Sequence, residues 1–140
     1  MKIVIDTNIV VSAALGSETC EKAIIKSFVE DDTVIEPKII SLELSKFIEK
    51  IQSKKYDAEK IKKIDDFFKF FLSMVKIEDP QNILKISPHV PDNFFLSLAY
   101  EKKALFLSGD KLALESGKIA DIDVMSAGEW IKFKIPSSRT

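Results

Sequence analysis

Four carboxylates stand where a side chain can do chemistry. Asp6 directly follows the apolar, β-branched run Lys2–Ile5, and Asp110 follows the apolar run 104–107 after Ser108 and Gly109. Glu43 lies between Ile40 and Phe47 at helical spacing, so it shares their apolar face. Asp92 precedes Phe95 and Ala99 at the start of a helical pattern, which turns it inward. Burying an unpaired charge is expensive, and like charges brought together raise one another's pKa. A bound cation removes both conflicts. Oxygen donors with no cysteine or histidine among them suit Mg²⁺ or Mn²⁺ rather than zinc. Each acid also has a plainer use. Asp6, Asp92 and Asp110 can serve as helix N-caps, worth about 1 kcal/mol each, and Glu43 can pair with Lys46.

The elements that must position these acids follow from hydrophobic periodicity. Strands are expected at 2–5, 33–35, 73–77, 104–107 and 122–125. Helices are expected at 9–15, 18–30, 39–51, 56–72, 92–102, 111–115 and 127–133. Residues 78–90 hold Pro80 and Pro88 and read as loop. Alternation of strand and helix means an α/β fold, with a parallel sheet covered on both faces. The helices at 39–72 form an inserted pair, an αα-hairpin projecting from the sheet. In such a sheet ligands bind beyond the carboxyl ends of the strands, where Asp6 and Asp110 fall. One domain is expected over 1–135, followed by a frayed tail at 136–140 that starts with Pro136.

Composition narrows the function. The 140 residues carry 21 basic and 22 acidic side chains, a net charge of −1, and 46% are apolar. That is too apolar and too nearly neutral for a disordered chain. No apolar run approaches the roughly 20 residues of a membrane span, and Asp6 interrupts the apolar start as no secretion signal would. A cytoplasmic protein is expected. Cys20 is the only cysteine, so an internal disulfide is excluded, and His89 is the only histidine. Charge is segregated: between Lys46 and Lys63 seven lysines face three acids, a net of +4, which leaves −5 elsewhere. A phosphate-binding edge beside an acidic site has this form; so does an ordinary solvated helix pair. With Arg139 the single arginine, bidentate reading of bases is not expected.

Taken in order, IVIDTNIVVSA, SLELSKFI, PDNFFLSLA and FLSGDKLAL resemble the PIN domain. Within it they are most similar to the bacterial and archaeal VapC-like toxins of toxin–antitoxin systems. The resemblance runs from Lys2 to about Phe133. It implies a three-layer α/β/α sandwich with a parallel sheet of four or five strands, and metal-dependent ribonuclease activity. It carries Asp6, Glu43, Asp92 and Asp110 over as the catalytic and Mg²⁺- or Mn²⁺-holding acids. Thr7 and Asn8 match the segment after the first acid, and Ser108 the small hydroxyl residue before Gly-Asp. Asn8 and Ser108 are expected to orient ligands or a phosphate oxygen. Lys46, Lys50, Lys54, Lys55 and Lys111 are expected to meet RNA phosphates. His89 stands where relatives often carry a further Asp, and Leu112 where they carry another; Asp121 and Asp123 are candidates to compensate, or else loop residues. The resemblance also implies homodimers and a cognate antitoxin protein. Phe67, Phe68, Phe70 and Phe71 read as core, with the outward ones available for such an interface. A catalytically silent RNA- or protein-binding module on the same fold stays open. Phosphatases of the haloacid-dehalogenase type share the strand-end aspartate, but Asn8 replaces their second one. A receiver-like domain fits FLSGDK poorly.

Overall fold

A computed structural model describes residues 1–29 and 33–134. The last residue expected in the second helix, and the tail 136–140 with the domain limit at 135, lie outside the described residues. In chain order the elements are β1 (Lys2–Ile5), α1 (Thr7–Ala14), α2 (Glu18–Val29), β2 (Thr33–Glu36), α3 (Ile39–Gln52), α4 (Ala58–Met74), β3 (Lys76–Ile77), α5 (Asp92–Lys102), β4 (Leu105–Leu107), α6 (Lys111–Ile119), β5 (Val124–Met125) and α7 (Ala127–Lys132). The sheet has five strands in the order β3-β2-β1-β4-β5, and every pairing is parallel. The order reverses direction between β1 and β4, which puts the ligand crevice at their carboxyl ends.

Ile3, Val4 and Ile5 are all fully buried. Successive strand residues face opposite sides, so both faces of β1 are covered and the layers are α/β/α. α5 packs on β1 and β4, and α6 on β4 and β5; α2 touches β2, α1 and α7. The helical pair α3 and α4 does not project. Both helices lean on α1 as well as on each other, because each carries a stripe that needs cover: Ile40, Leu44 and Ile51 on α3, Ile64, Phe68 and Phe71 on α4.

Boundaries moved where one residue's local signal met a tertiary demand. α6 runs four residues past its expected end, through Gly117. A Cβ there would sit 2.7 Å from Val124 Cγ1 and 3.3 Å from Leu96 Cδ2, so close packing requires the glycine inside the helix. α4 starts after Asp57, whose side chain accepts from Glu59 N at 3.3 Å. β2 includes Glu36, one residue beyond expectation. Among the described residues no helix is long and apolar enough to cross a membrane.

Candidate functional site

Asp6 closes β1. Its N–H still belongs to the sheet, donating to Leu107 O at 2.8 Å, while its side chain turns into the crevice between β1 and β4. It sits at the N-cap position of α1 yet makes no capping bond. Its Oδ2 instead accepts from Ser108 Oγ at 2.7 Å and from Asn8 Nδ2 at 3.2 Å. Ser108 Oγ in turn accepts from Asp110 N at 3.0 Å, and Asn8 Oδ1 accepts from Gly109 N at 3.0 Å. Asp6, Asn8 and Ser108 thus stitch the end of β1 to the end of β4. Asp6 is 6% exposed. Burial above all, with the charges of Asp92 and Glu43 adding, pushes its pKa from 3.8 to about 7 against the opposing bond from Ser108.

The other three acids approach from separate helices. Glu43, half-buried on α3, accepts from Thr7 Oγ1. Asp92 is buried at the first turn of α5, where Pro91 occupies the cap position, and it accepts from Ser87 Oγ at 3.3 Å. Burial raises its pKa and Asp110 adds to the rise, while the His89 side chain works the other way. Asp110 caps α6, accepting from Leu112 N at 3.2 Å. Capping is therefore the observed use of Asp110 alone among the three aspartates. Mutual electrostatic influence links Asp6 with Asp92 and Glu43, and Asp92 with Asp110, so the four expected acids share one end of the sheet.

A fifth carboxyl was not expected. Glu36, at the end of β2, is 0% exposed. Its Oε2 accepts from Ile5 N at 3.3 Å, and among the described residues its Oε1 has no partner. Burial drives its pKa well up, and Asp6 and Glu43 add to the rise. Ser87 was also missed as a neighbour of Asp92; its one sequence signal is placement five residues before an inward-facing acid. His89, which stands where relatives often carry a further Asp, acts on Asp92 electrostatically.

Asp121 and Asp123 do not join the group. Both lie ahead of β5, at the amino end of the sheet, exposed, and Asp123 O accepts from Phe106 N at 2.8 Å as part of the strand ladder. Lys46 and Lys50 lie exposed on α3 beyond Glu43, Lys54 and Lys55 in the turn that follows, and Lys111 at the start of α6. Among the described residues none of the five forms an ion pair, whereas Lys62 in the same stretch is bound to Asp66 at 2.8 Å.

The donors at this site are carboxylate and hydroxyl oxygens, one of them buried and orphaned, which is the chemistry a hard divalent cation takes. Among the described residues no three of these acids, with histidine and cysteine counted, stand around a common point. Each is tied to a neutral donor instead, so capture of an ion requires the side chains to turn inward.

No family model matches the chain, and no curated protein does. Solved structures do. VapBC2 from Rickettsia felis, solved bound to a DNA fragment from its promoter, matches 90% of this chain and 98% of its own at 17% identity, with a TM-score of 0.63. PAE2754 from Pyrobaculum aerophilum matches 94% of this chain and 87% of its own at 14% identity, with a TM-score of 0.69. A PilT N-terminus domain protein from Sulfolobus solfataricus P2 matches 97% and 98% at 13% identity, with a TM-score of 0.53. Identities this low establish shape rather than chemistry. The chain has the fold of the PIN domain, as its resemblance to VapC-like proteins implied.

Proposed function

We propose that this protein is a divalent-cation-dependent endoribonuclease, the toxin of a toxin–antitoxin pair acting in the cytoplasm. What supports the proposal is that Asp6, Glu43, Asp92 and Asp110, from four separate segments, lie near enough at one end of the sheet for Asp6 to feel Glu43 and Asp92, and Asp92 to feel Asp110. With Mg²⁺ or Mn²⁺ held by these acids, the ion would supply the positive charge that activates water and offsets charge developing on the scissile phosphate. The protein's own part is arrangement. Ser108 and Asn8 fix the Oδ2 of Asp6, and Thr7 holds Glu43 against α1. Ser87 holds Asp92. With a pKa of about 7, Asp6 changes its proton occupancy near neutral pH, so cation capture draws on a group already poised to ionise.

The unpaired lysines of α3 and its following turn give RNA phosphates a track beginning about one helical turn, or ~5 Å, from Glu43. Their hold weakens as salt rises, as counterion release requires. An apolar groove between α2 and α4 supports the partner half of the proposal, a homodimer and an antitoxin. Val29 is 73% exposed there and Phe70 64%, beside Ile25 and Met74. Apolar surface of this kind marks an interaction site. Phe68 and Phe71, by contrast, are core.

The test is cleavage of mixed single-stranded RNA by pure protein with Mn²⁺, Mg²⁺ or EDTA, beside Asp6→Asn. Metal-dependent cleavage lost in the variant is the expected result. A silent binding module is the second reading, favoured by acids that do not yet surround a common point. No cleavage, joined with no calorimetric binding of either metal, selects that reading.

A further inference from the structure

Glu36 is the one fully buried glutamate among the described residues, and nothing above assigns it a task. Its position is set by a seam in the sheet. β1 is in register with β2 at Lys2 opposite Thr33 and Ile3 opposite Val34, and with β4 as far as Ile5 opposite Leu107. Past Ile3 the β2 side of β1 is closed by a side chain: Ile5 N–H donates to Glu36 Oε2. This places the carboxyl beside the residue that precedes Asp6, within electrostatic reach of both Asp6 and Glu43. Oε1 is buried with no partner among the described residues. An orphaned buried oxygen in a native fold calls for a physical reason. Plugging the seam needs only one acceptor, which a neutral amide supplies without repulsion from two neighbouring acids. A carboxyl is the better choice only where something positive arrives.

We infer that Glu36 is a fifth carboxyl of the cation site, closing the strand seam with Oε2 and offering Oε1 as the innermost ligand to a divalent cation drawn in by Asp6 and Glu43. The inference rests on the cation-dependent reading above.

The experiment is Mn²⁺ binding to the whole protein, wild type and Glu36→Gln, by calorimetry and by the Mn²⁺-induced rise in Tm. Glutamine keeps the volume and an acceptor for Ile5 N–H but has no charge, so the variant folds, with a metal-free Tm no lower than wild type. Its Mn²⁺ affinity falls tenfold or more. A smaller loss makes Glu36 a plug and overturns the inference. Absence of Mn²⁺ binding to wild type overturns the cation reading itself and takes this inference with it, so the two failures are told apart. A second measurement needs no variant. With ¹³C at the glutamate carboxyl carbons, Mg²⁺ moves the resonance of the buried Glu36, and an unmoved resonance overturns the inference.

Discussion

Asp6→Asn should stabilise this protein, and by an amount that depends on pH. Below pH 3.8 the folded and unfolded chains both hold the Asp6 proton. Between 3.8 and about 7 the unfolded chain has released it while the native state keeps it. The unfolded state then binds fewer protons, so stability falls as pH rises through this window and levels off above it. A rise from 3.8 to about 7, at about 1.36 kcal/mol for each pH unit, bounds the loss at about 4 kcal/mol. Asparagine has the shape of the neutral acid and escapes that loss. Its oxygen can still accept from Ser108 Oγ and Asn8 Nδ2, but its amide nitrogen cannot accept, so the favourable influence of the Thr7 N–H on a carboxylate is lost, at about 1 kcal/mol. The variant is therefore about equal to wild type or ~1 kcal/mol less stable at pH 4, and roughly 1–3 kcal/mol more stable at pH 8. Urea denaturation in EDTA across pH 4–8 measures the difference directly; in thermal melts it amounts to roughly 5–10 °C at pH 8. Glu36 gives a slope of the same sign, so the quantity that matters is wild type minus variant. Parallel pH profiles, or a variant destabilised at pH 8, would refute the burial of an acid at this site.

Ser108→Ala removes the bond that most opposes the rise in Asp6's pKa, so the pH-dependent loss should extend to higher pH; potentiometric difference titration of the two folded proteins reads the displaced proton uptake. Gly117→Ala gains about 1 kcal/mol of helix propensity but drives a methyl into the β-branched Val124, which cannot swing aside, so a net loss of about 1–2 kcal/mol is expected in urea denaturation. Trp130→Phe strips an indole N–H that donates to Ala23 O at 3.2 Å and Ser27 Oγ at 3.1 Å in the fully buried seam between α2 and α7, and should lower stability by about 2–3 kcal/mol. Ser126→Ala deletes the side-chain half of the α7 capping box, the Oγ that accepts from Glu129 N, while the backbone N–H of residue 126 keeps its bond to Glu129 Oε1; it should cost about 1 kcal/mol, seen first as faster amide exchange at Glu129.

Much of the site was legible because its residues break local rules. An aspartate at the end of a buried run, a glutamate on an apolar helix stripe and an aspartate facing inward at a helix start each contradict the pattern around them. Such contradictions gather at functional sites. Asp110 breaks no rule, since it caps α6 as its position suggests, and only its place after β4 brings it to the crevice. Three features were hidden for different physical reasons. Gly117 reads as a helix stop, yet what fixes it is a side chain from β5 and another from α5. The stripes of α3 and α4 show that each helix needs cover without showing that α1 supplies it. Glu36 reads as the polar exit of a strand ahead of Pro37, and what buries it is the end of register between β1 and β2, a property of two strands that neither encodes alone.

Asp6 and Glu36 together pose an energetic question that local structure does not answer. A fold of this size has about 5–15 kcal/mol of stability to work with, and Asp6 alone removes up to about 4 of it at neutral pH. Among the described residues neither acid has a basic partner: Asp6 is held by a hydroxyl and an amide, Glu36 by a backbone N–H. A structural role for either is met as well by a neutral residue of the same shape. The lysines of α3 and its turn are no remedy, since they lie exposed. Two unpaired buried acids, with Glu43 and Asp92 adding repulsion, make sense as one half of an electrostatic pair whose other half comes from solution. A cation must displace protons to bind, so its affinity should climb with pH through the window in which Asp6 ionises, and Asp6→Asn should flatten that climb. Equal slopes in the two proteins would break the link between the buried acids and the ion.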